Sequence, residues 1–276
     1  MARLGSIKYQ VSQILQKVNG IGTSKKETRE QSGVKSLESG HKVSDKIHSY
    51  KSLENIRNDL TNLANYAKEE FKVQDITKIN AEIVKSWIDS KNISYSTASN
   101  YMSELNKVSG HFNFTREEIK ELRNSFKQDL QKQDLQTRAY KNLDKIELKE
   151  RYQVAFELQR DYGLRVNAST HINLDKQLNG NTLTFKEKGG KLSQKELSPN
   201  LAQKIRENAL EGKYEINKRT YARDFQKQIE KSGQKYNGTH GIRHTYAQKM
   251  LETHSKAEVS QEMGHSRPEI TDTYLR

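Results

Sequence analysis

The segment His240-Gly241-Ile242-Arg243-His244, followed by Met263-Gly264-His265 and then by Tyr274, decides how this chain is read. His240, Arg243 and His244 stand at i, i+3 and i+4. One face of a helix therefore carries two imidazoles and a guanidinium, while Ile242, Tyr246 and Met250 can turn toward a core. Such a face is suited to gripping a phosphate. The His-x-x-x-His spacing also describes zinc ligands, but a zincin needs Glu directly after its first His as general base, and Gly241 stands there. With no Cys in the chain and no nearby acidic pair, the anion site is the stronger reading, and no metal or other cofactor is expected.

Composition points the same way. The chain has 276 residues, of which 48 are Lys or Arg and 35 are Asp or Glu, a net charge of +13. That excess favours a polyanionic partner whose binding weakens with salt, although solubility alone also calls for some net charge. An apolar content of 32% is low but enough for modest helical cores in one large domain or two ordinary ones. The absence of Cys removes disulfides and thiolate chemistry, as suits a cytoplasmic protein. No run approaches membrane-spanning length, and Met1 to Gly20 lacks the apolar core of a secretory signal, so no membrane partner is expected. Pro occurs only at 199 and 268, which lets long helices run unbroken.

Residues 1–45 are polar and basic, with Lys8, Lys25, Lys26, Arg29, Lys35 and Lys42, and read as a mobile arm with one short helix around Ile7 to Val18. Residues 46–130 read as a compact four-helix domain. Leu53, Ile56, Leu60, Leu63 and Ala67 recur at helical steps, Ile83, Val84, Trp87 and Ile88 form a second set, and Ala98, Tyr101, Met102, Leu105 and Val108 a third. Thr115-Arg116-Glu117-Glu118 is a capping box opening the fourth helix. Residues 131–140, rich in Lys, Gln and Asp, read as a linker before a second domain at 141–276. There the pattern predicts a helix from Leu143 to Tyr162, a strand from Thr170 to Leu174 and a β-hairpin from Thr182 to Leu197 turning at Gly189-Gly190. Helices follow at Leu201 to Leu210, Thr220 to Ser232, His240 to Leu251 and Ala257 to Met263. A last one, opened by Ser266-Arg267-Pro268-Glu269, presents Tyr274. The fold class is mainly α with a small antiparallel β-sheet.

Taken together, Gly163-Leu164-Arg165, Lys188 in the hairpin, His240-Gly241-Ile242-Arg243-His244, Met263-Gly264-His265 and Tyr274 give the second domain a sequence that resembles the tyrosine recombinases, the integrase and Xer-type site-specific recombinases. The resemblance implies a two-domain architecture, a helical SAM-like core-binding domain and an α+β catalytic domain that clamp duplex DNA as a C. It implies catalytic roles for Arg165, Lys188, His240, Arg243, His265 and Tyr274, a 3′-phosphotyrosyl intermediate, and strand rejoining without ATP or metal. It also implies double-stranded DNA with a specific recombination site as partner, and a dimer per site with a tetramer at synapsis. A partner recombinase or accessory protein can join such an assembly.

The chemistry of these residue types agrees. Two guanidiniums clamp the charge that builds on non-bridging oxygens, a lysine protonates the leaving 5′-oxygen, and imidazoles handle the phenol proton or donate to the phosphate. Lys186 and Lys191 stand close enough to Lys188 to compete for its place. His244 is read as support for its neighbours. Tyr95 to Lys107 and Lys218 to Lys227 are candidate DNA contacts, and solvated helix faces explain them equally well.

Two departures stand out. The family commonly has an acidic residue three positions after its first arginine, and this chain has Ala168. The sequence also stops two residues after Tyr274, which implies a shortened form or an assembly unlike the usual ring. Two rivals share these residues: a type IB topoisomerase-like enzyme that relaxes DNA, and a DNA-binding protein of recombinase ancestry that no longer cuts.

Overall fold

A computed structural model describes residues 4–129, 137–187, 192–265 and 268–274. The chain divides into two compact units, Met1–Asp134 and Leu135–Arg276.

The first unit is helical. It comprises α1 (Ile7–Lys17), α2 (Lys25–Gln31), α3 (Tyr50–Phe71), α4 (Ala81–Asp89), α5 (Tyr95–Val108) and α6 (Arg116–Asp129). Side-chain caps fix where these helices start, because the first backbone N–H groups of a helix have no partner of their own. Ser49 opens α3, Asn80 opens α4 and Ser94 opens α5. Thr115 and Glu118 form the reciprocal pair expected at α6, with the Thr115 N–H donating to Glu118 at 2.6 Å and the Glu118 N–H donating to Thr115 at 3.1 Å. Ile56, Leu60 and Leu63 of α3 meet Trp87, Met102, Ile119 and Phe126 in one buried core. The indole N–H of Trp87 is satisfied by Asn62 at 2.8 Å.

The reading of residues 1–45 as a mobile arm is corrected here. Val11, Ile14, Leu15 and Val18 are buried in the same core as α3. Residues 18–47 are tied back by backbone bonds, Ile47 N–H to the Val18 carbonyl at 2.8 Å and Gly20 N–H to the Ile47 carbonyl at 3.0 Å. The polar composition hid this because four apolar side chains at helical spacing suffice to dock an eleven-residue helix.

The second unit is built around α7 (Glu150–Tyr162). There follow α8 (Val166–Thr170), β1 (His171–Asn173), α9 (Leu174–Gln177), β2 (Leu178–Asn179), β3 (Thr182–Lys186), β4 (Leu192–Glu196), α10 (Pro199–Glu207), β5 (Lys213–Glu215), α11 (Lys218–Lys231), α12 (His240–Leu251), α13 (Lys256–Glu262) and α14 (Pro268–Asp272). Strand β1 pairs antiparallel with β5, and β2, β3 and β4 form a second antiparallel sheet in that order. The expected hairpin is β3 and β4, with Thr182 opposite Glu196 and Lys186 opposite Leu192.

Helix α7 is buried on two sides. Tyr152, Ala155 and Phe156 pack with Tyr221, Phe225 and Ile229 of α11 and Ile242 of α12, while Val154 and Leu158 pack with Leu183, Phe185, Leu201 and Ile205. It starts at Glu150, later than the sequence pattern predicts. Leu143, Ile146 and Leu148 are buried from a short 3-10 turn and an extended segment, which mimics helical spacing. Of the expected linker, residues 131–136 lie outside the described residues. Tyr140 belongs to the second unit, where it is buried and its N–H donates to Thr245 at 2.7 Å.

The docking of α1 is testable. Leu15→Ala should lower the stability of the first unit by about 2–5 kcal/mol, the usual cost of emptying a buried leucine site, read as a shifted urea midpoint by circular dichroism. An unchanged midpoint would leave α1 without a structural role.

Candidate active site

Helix α7 ends at Gly163, whose φ of +65° is a left-handed conformation that side chains resist. The Leu164 N–H then reaches back to the Leu158 carbonyl at 3.2 Å, a Schellman closure, and the Leu164 side chain is fully buried. This sharp reversal places Arg165 at the entrance to α8.

Arg243 lies in the first turn of α12 and is 2% exposed. Its Nη1 donates to the Gly163 carbonyl and its Nη2 to the Met263 carbonyl. One guanidinium thus ties the turn that carries Arg165 to the end of α13. At that end Gly264 takes a φ of +63°, the His265 N–H bonds the Ser260 carbonyl at 2.9 Å, and the His265 ring is held through Nδ1 by the buried Thr271 hydroxyl at 2.8 Å. Strand β4 braces α13 as well. Lys195 pairs with the Glu262 carboxylate and donates to its carbonyl at 3.0 Å, and the Tyr246 hydroxyl donates to the same carboxylate at 3.0 Å.

Tyr274 is 6% exposed and packs with Ala247, Val259 and Met263. Its hydroxyl lies 3.0 Å from His240 Nε2. Its ring stacks on His244 at 4.5 Å between centroids and lies 4.8 Å from His265. The guanidinium carbon of Arg243 stands 5.9 Å from the ring centre, and the charges of Arg165 and Arg243 both act on the phenol. Its carbonyl accepts from Gln248 at 3.3 Å. A tyrosine hydroxyl is therefore gathered with two guanidiniums and an imidazole nitrogen, all from one chain.

The model of the phage integrase family matches residues 115–276, more than half of the chain. The chain belongs to that family. It is a tyrosine recombinase, and its shape is similar to those of solved recombinases and integrases. The XerH site-specific recombinase bound to its difH substrate is 13% identical with a TM-score of 0.61, over 98% of this chain and 92% of that one. The Tn1549 transposon integrase in complex with transposon right end DNA is 13% identical with a TM-score of 0.55, over 99% and 95%. A lambda integrase dimer bound to a core site is 15% identical with a TM-score of 0.56, over 83% and 72%. At these identities the likeness establishes the fold. No curated protein sequence matches the chain significantly.

Of the residues singled out in this integrase-family sequence, Arg165, His240, Arg243, His265 and Tyr274 come together, from four separate segments. Lys188 lies outside the described residues, as do Gly189, Gly190 and Lys191. One participant was read only as support and one was missed. His244, read as support for its neighbours, forms the stacking floor under Tyr274; its ring at i+4 from His240 was the available signal. Glu187 is buried against both arginines, and nothing in the sequence around it announces that.

Burial lowers the pKa of both guanidiniums below the ordinary arginine value, and the charge of Arg243 adds to that at Arg165. They stay protonated, because arginine does not lose its proton in proteins. Burial and the neighbouring His244, Arg243, Arg165 and Arg138 push His240 down to about 4. Burial and the two arginines push His265 down to about 4. Both rings are therefore neutral at pH 7, able to accept a proton at one nitrogen and donate from the other. Arg243 Nε and His265 Nε2 are buried and have no hydrogen-bond partner, a pair of polar atoms left for a further ligand.

Two expectations follow. In carbon-detected titrations of the imidazoles, His240 and His265 should stay neutral from pH 8 to about pH 5 and take up protons near 4. Because both values lie below the unfolded value of about 6.5, the second unit should also lose stability as pH falls from 6.5 toward 4. A ring with a midpoint near 6.5 would show it unshielded. Separately, Arg243→Ala strands two buried carbonyls at about 1–3 kcal/mol each and should cost about 2–6 kcal/mol, seen as a lower melting temperature. Unchanged melting would mean that the guanidinium does not tie the segments.

Proposed function

We propose that Tyr274 cuts DNA strands in cis and that the chain rejoins them at a specific recombination site. The observation that carries this reading is the Tyr274 hydroxyl, 3.0 Å from His240 Nε2 and engaged by Arg165 and Arg243. The phenol oxygen attacks a phosphodiester phosphorus, its proton passes to the neutral His240, and the new bond is a 3′-phosphotyrosyl ester. The phosphorus–5′-oxygen bond breaks, and Lys188 supplies the proton that makes a free 5′-hydroxyl. Rejoining runs the same steps backward with a 5′-hydroxyl as nucleophile. The bond energy is held in the ester, so the cycle calls for no ATP.

Arg165 and Arg243 stabilise the charge that grows on the non-bridging oxygens. Arg243 Nε and His265 Nε2 are the donors without partners in the free protein, and a phosphate would give them acceptors. On α11, Arg219, Arg223 and Lys227 recur at four-residue steps on an exposed face, a stripe suited to the DNA backbone. We further propose a dimer at each site and a tetramer at synapsis, with a partner recombinase or accessory protein as an added participant. Family membership favours recombination over the rival readings of a relaxing topoisomerase and a non-cutting DNA binder.

The decisive experiment is covalent trapping. Fragmented DNA from the source is incubated with the protein in EDTA and stopped with SDS. Wild type should form a protein–DNA adduct on the 3′ side of a nick, Tyr274→Phe should form none, and sequencing the trapped ends should give one recurring site. Gel-shift binding with no adduct from wild type would turn the reading toward a non-cutting binder.

A further inference from the structure

Glu187 directly follows strand β3 and is 7% exposed. One carboxylate oxygen, Oε2, pairs with Arg165 Nη1, and the other, Oε1, lies 4.0 Å from Arg243 Nη1. No other acidic group pairs with either arginine among the described residues. Its side chain packs over Gly264. A Cβ added there would stand 3.0 Å from Glu187 Oε1 and 3.1 Å from its Cγ, so the glycine leaves the room that the carboxylate fills.

The edge that Glu187 touches matters. Arg243 Nη1 is the atom that donates to the Gly163 carbonyl, on the guanidinium edge already committed to the protein wall. The Nε of the same group is the atom without a partner. A carboxylate on the wall edge offsets the repulsion between two neighbouring buried cations and fixes their planes, while leaving Arg243 Nε free. Ala168, one turn after Arg165, packs among apolar residues such as Leu174 and Leu178 and cannot do this.

We infer that Glu187 is the positioning carboxylate of this site, setting Arg165 and Arg243 from a hairpin strand in place of the acidic residue that is absent at position 168. The inference rests on the proposed cleavage reaction. It also couples the arginine pair to the strand that immediately precedes Lys188 in sequence. The same contact would have the opposite meaning if the carboxylate occupied the phosphate's seat and had to be expelled by DNA, and the two meanings predict opposite changes in rate.

The test uses the full-length protein and the duplex recovered by trapping, nicked to hold the adduct. Single-turnover cleavage is measured at saturating DNA for wild type, Glu187→Gln and Glu187→Asp, each also in an Arg165→Lys background, with gel-shift affinity and melting alongside. Losing the charge should slow cleavage roughly 10- to 100-fold, the range seen when partners that orient metal ligands are lost, with affinity little changed and melting lowered because two buried guanidiniums lose their counter-charge. Glu187→Asp should recover part of the rate. In the Arg165→Lys background the same change should cost under about threefold, because the two residues act as a unit. An unchanged or faster rate for Glu187→Gln, or equal losses in both backgrounds, would overturn the inference. If Glu187→Gln does not fold, Glu187→Asp, which keeps the charge but shortens the reach, carries the same comparison between backgrounds. Absence of any adduct from wild type would instead overturn the cleavage reading itself.

Discussion

The site depends on burying one guanidinium. Arg243 is 2% exposed, and its two terminal nitrogens are spent on the carbonyls of Gly163 and Met263. Those carbonyls end α7 and α13, so each belongs to a helix terminus whose last acceptors lack partners within the helix. Satisfying both from one side chain solves two local problems and in doing so sets the turn of Arg165 against the turn of His265. A lysine has the charge but not the planar fork, and its single nitrogen cannot span two carbonyls in fixed directions while leaving a third donor for a ligand. The positioning of three chemical groups thus follows from one buried side chain in α12.

Everything else in the second unit braces that arrangement. Helix α7 is held on two sides, so the Gly163 turn starts from a fixed helix end. Strand β4 reaches α13 through Lys195 and Glu262, and Glu262 also accepts from Tyr246 of α12. Burial lowers the pKa of Lys195, opposed by Glu262, and burial raises that of Tyr246, with the Glu262 charge adding to it. Lys195 is thus largely shielded while Glu262, whose side chain is 40% exposed, sits at the surface end of the network and accepts from both partners.

Much of this was legible in the sequence. His240, Arg243 and His244 announce one helix face by spacing alone, and the capping box at Thr115 fixed the start of α6 because its two bonds are local. Strand β3 was readable from Thr182, Thr184 and Phe185 ahead of Gly189-Gly190 in the sequence, and β4 pairs with it in antiparallel register as a hairpin requires. What composition concealed was long range. Residues 1–45 looked unfolded by charge, yet Val11 and Leu15 find their partners in α3. The extended run through Ile146 looked helical because burial, rather than backbone, set its spacing. Glu187 gave no signal, since a carboxylate between two lysines in a hairpin reads as solvated until Arg165 and Arg243 are brought to it.

The direction of proton flow is set by the same burial that sets the geometry. A buried imidazole cannot easily hold a proton, less so beside a second imidazole and guanidiniums, and His240 is pushed down to about 4. Such a ring is a weak base, and it would take the phenol proton only as negative charge accumulates nearby. In the proposed reaction a bound phosphate would supply that charge, neutralising part of the arginine field and raising the affinity of His240 for a proton as the phenol gives one up. In the free protein burial and the same field favour a neutral ring, whose Nε2 lies 3.0 Å from the Tyr274 hydroxyl. In the proposed reaction the proton-accepting step is thus conditional on occupancy of the arginine pair, and His240 becomes a competent base only once a phosphodiester is bound.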